Sequence, residues 1–135
     1  MEEFSSYLFV YGTLLDNRNE FAVYMTNNCT FYKDARFSGN LYDIGEYPGV
    51  VPCETGESYV SGKIFLMNNP GDMLKRLDYY EGFGKDCPQP NEFIRELVAV
   101  ETDEEPVNCW IYLYNSPIDG HWHIVSGDYR EYIGI

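Results

Sequence analysis

"SYVSGKIFLMNNPGDMLKRLDYYEGF", residues 58–83, changes character half-way, and that change sets the fold class. Its first ten residues, 58–67, read as a long strand, in which Gly62 marks a bulge or a close approach of two backbones. Asn68-Asn69-Pro70 then opens a helix. Asn69 can cap the first free N–H groups, and Pro70 suits the first helical position, where its missing N–H costs nothing. The helix is predicted to run to Tyr80 or Glu81 and to stop at Gly82. Leu74, Leu77 and Glu81 share one face at i, i+3 and i+7, with Met73 and Tyr80 beside them, while Asp72, Lys75, Arg76 and Tyr79 point elsewhere. An apolar stripe that ends in a glutamate is a physical oddity. Burial strips a carboxylate of its hydration, so its pKa should rise, and a raised glutamate suits general acid–base work near neutral pH. The plainer reading is that Glu81, in the last turn, swings out to solvent. Asp78 is read as a solvated or capping group.

The flanks supply strands. Upstream, residues 7–11 form a short aromatic and β-branched strand, 17–27 a short helix, and 30–37 and 39–44 two strands meeting near Ser38-Gly39. Pro48-Gly49 is turn chemistry, and 50–52 continue as an edge strand. Downstream, a turn-rich segment over 84–90 leads into a hairpin of residues 93–101 and 107–114, joined by the acidic loop 102–106. Ser126-Gly127-Asp128 caps a last helix. Many strands with few helices point to an α+β fold: a small, mixed, strongly curved, β-barrel-like sheet with flanking short helices. Residues 1–135 read as a single domain, with no repeats, linkers or low-complexity tracts.

Composition narrows the function classes. Hydrophobic residues make up 44% of the chain, which is ordinary for a globular protein, but aromatics reach 17% and 13 of them are tyrosines. Tyrosine joins an apolar ring to a polar tip and suits half-wet pockets, although a tyrosine-rich core and strand surface explains most of them equally well. The net charge of −13, from 22 acidic and 9 basic residues, repels phosphate backbones and anionic lipid. Nucleic-acid and membrane partners are therefore not expected. Cys29, Cys53, Cys87 and Cys109 are spread evenly with no C-x-x-C pair, so reduced, structural thiols are expected rather than disulfides. The start, MEEFSSYLFVY, is acidic where a secretory leader is basic, and no stretch reaches transmembrane length, which reads as cytoplasmic.

A second stretch carries the function. In "FVYGTLLD", residues 9–16, a strand runs straight into Gly12-Thr13-Leu14, which suits a turn, an anion cradle or a substrate pocket. "FVYGTL" at 9–14, "GNLYDIGEYPGVV" at 39–51, "LDYYEGF" at 77–83, "FIRELVAV" at 93–100, "WIYLY" at 110–114 and "SGDY" at 126–129 follow the order found in gamma-glutamylcyclotransferase-like proteins, which the chain resembles along nearly its whole length. The resemblance implies a small mixed barrel whose pocket is formed by the YG-[ST]-L loop and overlooked by the glutamate. It carries Tyr11, Gly12, Thr13 and Leu14 onto the substrate-holding loop and Glu81 onto the catalytic acid–base position. The implied reaction is cyclisation of a gamma-glutamyl amide to 5-oxoproline with release of a free amine or amino acid, with no cofactor and a small gamma-glutamyl compound as the only partner. Nothing in it demands more than a monomer.

Two positions depart from the family pattern: Phe93 where tyrosine is common, and Leu15 where many members carry a longer polar or basic side chain. They leave Glu81 intact, and they keep a second function class open, a non-catalytic module that holds a small carboxylate in the same cradle. A third class, an acidic protein-interaction domain, has only exposed tyrosines in its favour. Arg95 alternates with Phe93 and Leu97 on one strand face and is either an inward cation near the pocket or the partner of a structural acid. Tyr47 and Tyr114 are further candidates for lining the pocket. His121 and His123 would share a face of an extended segment, but no third ligand lies nearby in sequence, so no metal site is expected. No nucleotide-binding glycine motif and no Ser-His-Asp or Cys-His arrangement is present.

Overall fold

A computed structural model describes residues 5–12 and 20–134 of the chain. In order, the elements are β1 (Tyr7–Val10), α1 (Glu20–Asn28), β2 (Cys29–Asp43), β3 (Pro48–Pro52), β4 (Tyr59–Met67), α2 (Pro70–Glu81), β5 (Phe93–Val100), β6 (Val107–Tyr114), β7 (Trp122–His123) and α3 (Tyr129–Ile133). The sheet runs β3-β2-β4-β1-β6-β5, with β7 added to the end of β2. Pairing is antiparallel except between β1 and β6, which makes the sheet mixed.

The sheet is strongly curled. Arg36 of β2 and Glu101, just beyond β5, exchange two backbone hydrogen bonds of 2.9 Å, so the far strand reaches back to β2. This curl gives the barrel-like α+β architecture expected from the sequence. Inside it lie Phe9, Phe37, Leu41, Val60, Ile64 and Ile111; on the other side, Leu8 and Val10 pack with Met73, Leu74 and Leu77 of α2 and Met25 of α1. Side chains alternate across a strand, so β1 feeds both cores at once. That is why its sequence is an unbroken apolar run.

Two readings from the sequence differ: Pro48-Gly49, expected as a turn, opens β3 and pairs with Asp43 and Tyr42, and the break expected at Ser38-Gly39 is absent. Residues 29–43 are a single strand of 15 residues, not two strands meeting at Ser38-Gly39. The chain changes partner there instead of stopping: residues 29–38 pair with β4, and 39–43 pair with β3. Long-range backbone bonds, from Gly39 N–H to the Ser58 carbonyl at 3.0 Å and from Cys53 N–H to the Ser38 carbonyl at 3.1 Å, carry the strand through. Gly62 is a close approach, since a Cβ there would sit 2.4 Å from the Val10 carbonyl oxygen. The irregular pairing lies further along, in β2 between Phe31 and Lys33, which face Phe65 and Ile64.

The helix α2 has the ends its sequence announces. Asn69 accepts a bond from the Asp72 N–H at 3.3 Å, and Gly82 closes the helix at φ 73°. Met73, Leu74 and Leu77 are buried, which fixes the rotation of the helix on the sheet and hence where its last turn points. Cys29 and Cys109 are buried free thiols, pushed by burial up to about 11 and about 12. Among the described residues no helix is long and apolar enough to cross a membrane.

Candidate active site

A cavity of about 440 Å³ opens between the end of β1, the last turn of α2 and the entry to β5. Its lining is apolar at Leu8, Phe9, Val10 and Phe93 and also includes Tyr11, Gly12, Pro48 and Tyr112. Tyr11, the residue after β1, packs into the inner core, and its hydroxyl donates to the Tyr112 carbonyl at 2.6 Å. Burial, then the charge of Glu81, pushes the Tyr11 phenol well above its ordinary range. A Cβ at residue 12 would stand 2.6 Å from Pro48 Cγ, so only glycine lets β1's exit and β3's start close this side of the cavity.

Glu81 faces into the cavity from the last turn of α2, on the apolar stripe set by Leu74 and Leu77. Burial raises its carboxyl to about 7, and the negative charge of Glu92 adds to the shift. The neighbouring hydroxyls are already committed. Tyr112 donates to Asp78 at 2.7 Å, Tyr47 donates to Glu92, and Tyr11 donates to backbone. Burial is also the main reason that the Tyr47 and Tyr112 phenols are raised. Among the described residues, burial and charge alone shift the Glu81 carboxyl, with no hydrogen bond contributing. A carboxyl that titrates near neutrality in a half-apolar site can take up or release a proton there.

The structure brings together only part of the residue set expected from sequence. Glu81, Tyr11, Gly12 and Tyr47 line the cavity. Thr13, Leu14 and Leu15 lie outside the described residues. Arg95 does not line the cavity. Its guanidinium holds Asp78 through two bonds, of 2.7 and 3.1 Å, and lies 4.5 Å over the Trp110 ring, so of its two readings the structural partner is the one found. Asp78 is correspondingly not a solvated group: it is the hub that joins α2 to β5 and β6 through Arg95 and the Tyr112 hydroxyl. Tyr114 packs edge-on behind Phe93 at 5.5 Å, outside the lining. His121 meets Tyr114 and His123 stacks on Tyr42, and no metal-binding cluster occurs among the described residues.

Glu92, Glu46 and Tyr112 line the cavity without having been singled out in the sequence. For Tyr112 a signal existed. The hairpin register sets Phe93 opposite Tyr114 and Arg95 opposite Tyr112, so alternation places these four side chains on one face.

A sequence profile described as "Gamma-glutamyl cyclotransferase, AIG2-like" matches residues 8–131. The chain belongs to that family. The Escherichia coli K12 gamma-glutamylcyclotransferase family protein YtfP is 30% identical over 124 residues, spanning 92% of this chain and 96% of YtfP. The solution structure of E. coli ytfP superposes with a TM-score of 0.67 at 28% identity, over 94% of this chain and 98% of that one. The crystal structure of YkqA from Bacillus subtilis gives a TM-score of 0.70 at 27% identity over 96% of this chain, which spans only 41% of YkqA. Over these spans the two solved structures share the fold of this chain.

Proposed function

We propose that this protein is a gamma-glutamyl cyclotransferase that converts a small gamma-glutamyl amide into 5-oxoproline and a free amine, with Glu81 as the acid–base. The observation that carries the reading is the Glu81 carboxyl, raised to about 7 in a cavity beside the end of β1. Family membership supports the reaction class.

The chemistry needs one proton carrier. The substrate α-ammonium holds its proton to roughly pH 8, so Glu81, titrating near 7, is closely matched to accept it. The freed α-amine then attacks the γ-carbonyl carbon, and a C–N bond closes the five-membered ring. As the tetrahedral intermediate collapses, the bond to the leaving amine breaks and Glu81 returns its proton to that amine, while the ring nitrogen passes its surplus proton to the newly ionised Glu81, from which solvent or the departing amine takes it up. Nucleophile and electrophile belong to one molecule, so the cavity contributes mainly by folding the substrate into near-attack geometry, an effect worth up to roughly 7–11 kcal/mol. Backbone N–H groups beyond Tyr11 are the proposed holders of the substrate α-carboxylate or the developing oxyanion.

The test is 5-oxoproline release from gamma-glutamyl-alanine, glutathione, gamma-glutamyl-ε-lysine and a gamma-glutamyl alkylamine, by wild type and by Glu81→Gln. Wild type should release it from at least one compound. Glu81→Gln should keep the native circular dichroism spectrum and lose at least roughly a hundred- to ten-thousandfold in rate. An active Glu81→Gln protein would sink the mechanism.

A further inference from the structure

The loop that leads into β5 is stitched down by one buried amide. Asn91, 9% exposed, accepts from the Gly84 N–H at 3.0 Å and donates to the carbonyls of Gly84 and Pro88 at 3.0 and 3.1 Å. Asn115 grips the same place: its side chain donates to the Asn91 carbonyl at 3.0 Å, and its backbone N–H donates to the Glu92 carbonyl at 2.7 Å. A buried amide satisfied through both its oxygen and its nitrogen rigidifies the segment that carries it. The next residue is Glu92. The Tyr47 hydroxyl, reaching from the turn between β2 and β3, donates to its carboxylate. Glu92 is thus held at both backbone and side chain on the lining of the cavity.

The charges around Glu81 are one-sided. Tyr11 faces it from β1, Glu46 and Tyr47 from the β2–β3 turn, Glu92 from the lead into β5, and Tyr112 from β6. Asp78, on its own helix, is taken up by Arg95. No described residue lining the cavity is cationic. Glu92 is exposed, and among the described residues lining the cavity this rigidly placed carboxylate has no counter-charge, which a ligand can supply.

We propose that Glu92, aimed by Tyr47 and by the Asn91-stitched loop, is the counter-charge that holds the substrate's α-ammonium group beside Glu81 before the proton moves. This rests on the cyclotransferase reading of the site. Glu92 takes no proton in the step: the ammonium passes it to Glu81, and the nitrogen lone pair goes to the γ-carbonyl carbon. The site accordingly selects a free α-amine at binding, ahead of chemistry.

Binding can be read without turnover. Calorimetry on Glu81→Gln, with gamma-glutamyl-alanine and its deaminated analogue glutaryl-alanine, should show the amine bound at least roughly tenfold more tightly, and Glu81→Gln/Glu92→Gln should lose the preference. In otherwise wild-type protein, Glu92→Gln should raise KM roughly ten- to a hundredfold. It should also move the acid limb of kcat/KM to lower pH, because a negative charge opposing Glu81 ionisation is gone. Glu105→Gln, the same charge change on the β5–β6 loop, should do neither. A preference retained in the double variant, or an unchanged KM in Glu92→Gln, overturns the proposal. An amine preference in a protein that releases no 5-oxoproline upholds the counter-charge and overturns only the reaction.

Discussion

At the scale of the residue, the burial of Glu81 costs stability, and the cost has a sign. Its carboxyl titrates near 7 in the folded protein against an ordinary value of 4.5. Between those two values the folded chain binds more protons than the unfolded one, so this group's contribution to stability is whole below about pH 4.5 and is lost as pH rises through about 7. Glutamine keeps the shape and never ionises. Glu81→Gln should therefore match wild type in urea denaturation near pH 4.5 and exceed it by about 1–3 kcal/mol at pH 8, discounted because the side chain is only partly enclosed. Equal stability of the two proteins at pH 8 would mean that Glu81 reaches solvent freely, the plainer reading of its place in the last turn. A variant more stable and inactive is the pattern of a site built at the expense of the fold.

At the scale of the element, α2 is held by two devices of different range. Its rotation comes from Met73, Leu74 and Leu77, its lateral position from the Asp78–Arg95 pair, whose side chains are 21% and 20% exposed. Arg95→Met should cost about 1–3 kcal/mol by leaving Asp78 partly buried with the Tyr112 hydroxyl but without its counter-charge, while KM for an active substrate stays within about threefold, because Arg95 does not line the cavity. A KM raised tenfold or more, with stability unchanged, would return Arg95 to the binding site. The same division of range explains what was legible in the sequence. The caps of α2, its apolar stripe and the β5–β6 hairpin are local patterns, and Glu81 stood out because it interrupts one of them. Asp78, Glu92 and Asn91 did not stand out. Arg95 meets Asp78 across 17 residues, Tyr112 meets it across 34, and Tyr47 meets Glu92 across 45, so only the sheet register brings them together. The continuity of β2 was hidden for the same reason, since the bonds that carry it through Ser38-Gly39 come from Ser58 and Cys53.

At the scale of the whole molecule, 22 acidic residues against 9 basic ones set a mean field that no single contact reveals. Two electrostatic effects oppose each other. The surface ion pairs of Lys33 with Asp103 and Glu104, Lys63 with Asp34, Arg36 with Glu101 and Arg76 with Asp72 are attractive and weaken as salt screens them. Exposed pairs of this kind contribute little. The excess of 13 negative charges is repulsive, and screening it favours the compact state. Repulsion should win. Raising sodium chloride from about 20 mM to about 300 mM at pH 7.5 shortens the screening length to well under 10 Å. It should lift the urea midpoint by roughly 0.3–0.5 M, equivalent to about 1 kcal/mol at a slope of about 2 kcal/mol per molar. Near pH 4.5, where carboxylates begin to take up protons, the gain should shrink. A midpoint that falls with salt at pH 7.5 would show that the pairs flanking the Arg36–Glu101 closure of the sheet outweigh the mean field. The curl that shapes the cavity would then be held electrostatically rather than by its two apolar cores.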